Sequence, residues 1–155
     1  MNFIGDVLLQ SLPNDAHIAR AVADAFGVRR VTVWPRSGVE NVDTDFFVER
    51  ETFPGEFPFA LSLTATASSG LLVLSEDQIV DRMRVLAQRL EQSFLTDAAG
   101  FNPVFSDDYL LVTPNGDTAV VQVTFDGLRR GEIELTPESR TLLAELTAKT
   151  PTAAR

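Results

Sequence analysis

Two hydrophobic spacings run through this chain. From Phe57 to Thr66 the side chains alternate: Phe57, Phe59, Leu61, Leu63 and Ala65 fall on one face, and Pro58, Ala60, Ser62, Thr64 and Thr66 on the other. A period of two predicts a strand with one buried face. Pro58 cannot donate to a ladder and belongs at the strand start or on an edge. From Ser75 the spacing changes. Ile79, Met83, Leu86, Leu90 and Phe94 recur at three- and four-residue steps, with Val80 and Ala87 beside them and Asp81, Arg82, Arg84, Arg89 and Glu91 on the outer side. This predicts an amphipathic helix over Gln78–Gln92, opened by a capping box of Ser75 and Gln78.

Shorter elements flank these two. Asn14 and Asp15 cap a first helix whose apolar positions are Ile18, Val22, Ala25 and Phe26, and Gly27 stops it. Val31 and Val33 face one way on a following strand, with Thr32 and Trp34 opposite. Asp45 to Phe53 is a further strand, turning through Pro54-Gly55-Glu56 into the Phe57 strand. Ser93 to Thr96 reads as a short strand. Tyr109–Thr113 and Thr118–Phe125 form a hairpin around Pro114-Asn115-Gly116-Asp117, since Asn-Gly is a strong hairpin signal. Glu132–Leu135 is a last strand. Thr136 caps a final helix with Pro137 at its first position, and Leu142, Leu143 and Leu146 form its buried face.

Strand runs separated by single helices predict an α+β fold. It has one domain over residues 1–149 with a mainly antiparallel sheet, a central amphipathic helix, shorter N- and C-terminal helices, and a frayed tail over 150–155. The 155 residues, with 45 % hydrophobic content and 11 phenylalanines, suffice for a packed core.

Composition narrows the chemistry. With no cysteine, disulfides, thiolate nucleophiles and cysteine-bound zinc are excluded. His17 is the single histidine, in the first turn of the first helix, and reads as an exposed structural residue. No Gly-x-Ser-x-Gly elbow, phosphate-binding loop or dinucleotide fingerprint occurs. The expectation is a protein without catalytic residues, cofactor or metal. The N-terminus carries no leader pattern and no segment has the length of a membrane span, so a cytoplasmic location is expected. A formal charge of −9 disfavours nucleic acid and anionic membrane as partners and favours a protein with a basic surface.

That charge is unevenly spread. Between Ser37 and Phe59, six acids (Glu40, Asp43, Asp45, Glu49, Glu51 and Glu56) face one base, Arg50. Glu49 and Glu51 share a strand face. A second acidic stretch sets Asp97, Asp107 and Asp108 beside Phe101, Phe105 and Tyr109, and acids among aromatics suit the rim and anchor of an interface. The candidate partner-binding residues are therefore Glu40, Asp43, Asp45, Glu49, Glu51, Asp107, Asp108 and Tyr109. A solvated face and a core role for the two phenylalanines are the plainer alternatives.

The segment from Leu95-Thr96-Asp97 through Asn102-Pro103 to Tyr109-Leu110-Leu111-Val112-Thr113-Pro114-Asn115-Gly116 resembles small acidic bacterial immunity proteins, which neutralise toxins. That resemblance implies a non-enzymatic inhibitor that lays acidic and aromatic side chains over a basic toxin site. The element order is also similar to that of the acidic chaperones of type III secretion effectors, which implies a homodimer presenting apolar grooves to an unfolded effector. A third alternative is a small enzyme with an unrecognised carboxylate site.

Overall fold

The strand at the centre of the fold is the first one. In a computed structural model, which describes residues 2–35, 43–71, 74–98 and 108–148, β1 (Asn2–Leu9) lies between β4 (Phe59–Ala65) and β5 (Phe94–Thr96), antiparallel to both. The sequence pattern predicts a helix as the first element instead. The reason is local. Phe3 pairs with Thr64 and Gly5 with Leu63, so Ile4 is an extra residue in a bulge. A bulge breaks the period of two. Ile4 and Val7, three apart, both enter the helix-side core. Gly5 is needed there because a Cβ would lie 2.8 Å from the Ala98 Cβ.

The remaining elements are α1 (Asp15–Phe26), β2 (Val31–Pro35), β3 (Phe46–Thr52), α2 (Glu76–Leu90), β6 (Asp108–Val112), β7 (Thr118–Gln122), α3 (Phe125–Arg129) and α4 (Pro137–Thr147). The strands form one seven-stranded sheet in the order β2-β3-β4-β1-β5-β6-β7. Only β2–β3 is parallel; every other neighbouring pair is antiparallel. The α+β class and the mainly antiparallel sheet expected from the sequence are what the structure has.

Both long helices cover one face. Their caps are those read from the sequence: Asn14 accepts from the His17 amide, and Ser75 with Gln78 completes the capping box. Met83, Leu86, Ala87 and Leu90 of α2 and Ile18, Val22, Ala25 and Phe26 of α1 pack on Val7, Leu9, Phe46, Val48, Leu61, Leu63 and Leu110. The helices run antiparallel, tied at one end by His17 Nε2 donating to the Arg89 carbonyl at 2.8 Å and at the other by Arg82 donating to the Ala25 carbonyl at 3.2 Å. His17 is thus structural, but half-buried rather than exposed. Phe94, which continues the α2 stripe in sequence, sits in β5, because Glu91 ends the helix.

A smaller apolar cluster fills part of the opposite face: Leu8, Phe57, Ala60, Leu95, Leu111, Val121, Val123, Ile133 and Leu135, with Leu142, Leu143 and Leu146 of α4 laid over it. Phe57 was expected beside Phe59 and Leu61. It precedes β4 instead of lying in it, so the strand alternation does not bind it and it packs on the far side. Glu132–Leu135 makes two isolated bridges, Gly55 with Ile133 and Val123 with Leu135, rather than a strand. The hairpin strand β7 stops at Gln122, and Phe125 opens α3 instead of extending it.

The segment leading into α4 caps the last residue of β7. The Thr136 amide donates to the Gln122 carbonyl at 3.0 Å, and the Ser139 hydroxyl accepts from the Gln122 amide at 2.8 Å. Glu56 ties the β3–β4 turn to the same segment, accepting from the Leu135 amide at 3.1 Å and pairing with Arg140.

Candidate functional site

Strand register assembles a row of side chains across the face away from α1 and α2. Trp34 is paired with Glu49, Glu49 with Ser62, and Ser62 with Asp6. Asp6 adjoins Asp97, and Tyr109 follows on β6, paired with Val121. Above this row, Thr32, Phe47, Thr64 and Phe3 form a second one, with Phe3 57 % exposed. Below it, Ala60, Leu8, Leu95 and Leu111 pass under α4 and its preceding segment. No arginine or lysine occurs in these rows.

The centre of the row is polar and partly desolvated. The Ser62 hydroxyl donates to Asp6 Oδ1 at 2.6 Å, and the Asp6 amide donates to Asp97 Oδ1 at 2.9 Å. Thr96 Oγ1 donates to the Asp6 carbonyl at 2.7 Å, fixing the backbone of β1 against β5. Burial pushes the Asp97 carboxyl above its ordinary range; the Asp6 amide bond opposes this and the Asp6 charge adds to it. Burial likewise raises the Tyr109 phenol, aided by the charges of Asp97 and Asp6. Two neighbouring carboxylates, a hydroxyl and a phenol offer acceptors and negative potential to a cationic group. Among the described residues no set of three or more His, Asp or Glu side chains is placed to hold a metal.

The residues singled out in the sequence divide. Glu49 and Glu51 do share this face; Glu49 is exposed in the row and Glu51 half-buried beside Ala60. Tyr109 is in the row. Asp108 begins β6, half-buried, and accepts from the Gln122 side chain at 3.2 Å. Glu40 and Asp107, with Phe101 and Phe105, lie outside the described residues.

Asp45 has a different role. It is buried before β3 and accepts from the Arg29 and Arg30 amides at 3.3 and 3.1 Å and from Arg30 Nη2 at 2.9 Å. Its hydrogen bonds from Arg30 hold the carboxyl down at about 2. Exposed Asp43 pairs with the same guanidinium at 2.6 Å. Asp45 is a clamp between the α1–β2 turn and β3, so charge reversal there strikes the fold first.

Asp6 carries no signal in the sequence because the bulge at Ile4 masks the period of its strand. Asp97 was visible as an acid near aromatics, but only the register sets it beside Asp6. No helix among the described residues is long and apolar enough to cross a membrane. No known protein family, curated protein or solved structure matches this chain.

Proposed function

We propose that this chain is a non-enzymatic protein-binding module, an immunity-type inhibitor that covers a basic site on its partner with the sheet face carrying Glu49, Asp6, Asp97, Tyr109 and Trp34. The observation that supports this reading is the cross-sheet row itself: three carboxylates and two amphipathic aromatics on one rigid surface, without a basic side chain. Strands hold such a surface in place before encounter, which lowers the ordering penalty of binding. The carboxylates steer a basic partner, and the aromatics supply anchors of the kind that dominate interface energetics.

The experiment is capture by the product of the neighbouring gene, followed by association kinetics at two salt concentrations. Glu49→Lys is the informative variant because Glu49 is exposed. Reversal of one steering charge is expected to slow association by about tenfold at low salt and to flatten its salt dependence. A partner whose association rate ignores Glu49→Lys and Asp97→Asn alike uses another surface.

A further inference from the structure

The last helix is held unlike the two long ones. In α1 five residues are buried and in α2 four, all of them apolar. In α4 the one buried residue is Ser139; Leu142, Leu143 and Leu146 are half-buried, and the rest of the helix is exposed. It takes no part in the larger core between α1, α2 and the sheet. Its polar ties to other elements lie at its start. The Ser139 hydroxyl accepts from the Gln122 amide at 2.8 Å, and Arg140, 52 % exposed, pairs with Glu56.

The segment just before α4 is anchored much more firmly. Ile133 and Leu135 are 7 % and 1 % exposed and bridge to Gly55 and Val123. Firm anchoring therefore stops at Leu135. Thr136 follows, its amide on the Gln122 carbonyl and its side chain capping α4 through the Ser139 amide. Beneath α4 and this segment, Leu8 is paired with Leu95 and Leu95 with Leu111. Each of these leucines is two residues along its strand from a member of the acidic row, Asp6, Asp97 or Tyr109.

We propose that α4 is a hinged cover, which opens as one unit about Thr136 while the sheet, α1 and α2 stay folded. Segments open locally where few apolar contacts hold them. Opening α4 gives up the contacts of three half-buried leucines, one hydrogen bond and one exposed ion pair, and leaves the larger core untouched. It frees the Gln122 amide and uncovers part of the leucine row next to the acidic one. The opening is a property of the chain alone and does not depend on the role given to that row.

The test is native-state hydrogen exchange of the whole chain, followed by NMR over a series of low urea concentrations. Leu142 to Leu146 are expected to share one opening equilibrium, protected about a hundredfold less than Val22 in α1 and Leu86 in α2. Their exchange should depend less on urea, because less surface is exposed. The Gln122 amide, bonded to α4 through Ser139, should exchange in step with them. Arg140→Gln removes the tie to Glu56 without touching Gln122. It should quicken Leu142 to Leu146 and Gln122 together, by about threefold or more. Leu86→Ala should lower protection in α1 and α2 and leave α4 and Gln122 unchanged. Exchange that rises steadily from Leu142 to Leu146 would mean fraying from the free end and would overturn the proposal. A Gln122 amide unmoved by Arg140→Gln, or an α4 as protected and as urea-sensitive as α2, would overturn it too.

Discussion

Asp6 and Asp97 are joined by a hydrogen bond from the amide of one to the carboxylate of the other, at 2.9 Å, so two acids share one spot on the sheet. Asp97 is raised above its ordinary value of 3.8 by burial and by the charge of Asp6. A carboxyl whose folded-state value is raised contributes stability that is present below its unfolded value and is lost as pH rises through the folded one. Asp97→Asn keeps an acceptor for the Asp6 amide and removes the charge. The variant should be more stable than the parent at pH 7, and the difference should vanish below about pH 4. Urea unfolding at the two pH values checks this.

Asp45 works in the opposite direction. Held at about 2 by Arg30, against an ordinary 3.8, it contributes stability above its unfolded value that is lost as pH falls through the folded one. Asp45→Asn should be less stable than the parent at neutral pH. The two melting curves should converge as pH drops from about 4 towards 2. A parallel offset at every pH would mean that the loss is packing rather than charge.

Leu86 has no exposed surface and lies in the α2 stripe against the sheet. Leu86→Ala should lower unfolding free energy by about 2–5 kcal/mol, the range for a buried leucine replaced by a smaller side chain. Chemical denaturation measures it, and a loss below about 0.5 kcal/mol would place the stripe outside the core.

Gly55 adopts φ 124°, and a Cβ there would lie 2.7 Å from both the amide nitrogen and the carbonyl oxygen of Ile133. The Glu56 amide also donates to that carbonyl at 2.8 Å. Gly55→Ala should therefore cost about 1–3 kcal/mol, as a strained residue pushed against backbone. Hydrogen exchange should quicken in residues 132–147 more than in α1 or α2, because the clash falls on the segment that seats α4.

What was legible in the sequence follows from how locally each element is specified. Ser75 with Gln78, Thr136 with Pro137, and Asn115-Gly116 carry their instructions within four residues, and the structure has the caps and the turn at those positions. The alternation from Phe59 to Ala65 is equally local. β1 is not, since the bulge at Ile4 shifts its period and Asp6 interrupts its apolar run. Asp6 is acceptable mid-strand because Ser62 and Thr96, from two other strands, bond its side chain and its carbonyl. The candidate site is built on that strand and so was only half visible, through Glu49, Glu51 and Tyr109. The inward turn of Asp45 is hidden in the sequence for the same kind of reason. Its partner Arg30 is fifteen residues away, and a charge run in one dimension does not reveal which acid turns inward.

The bonds between Gln122 and the Thr136–Ser139 turn have a bearing on how this protein stays apart from its own copies. An uncapped outer strand is a template on which a second chain can grow the sheet. Here the backbone groups of Gln122 are already taken by the turn that starts α4, so another strand can run past that end of β7 only after the turn opens, while Val120, 53 % exposed, lies outside the cap. Pairing at the Gln122 end is then tied to the local opening of the α4 turn rather than to global unfolding, and Thr136, which caps α4 through the Ser139 amide, guards that end of the strand.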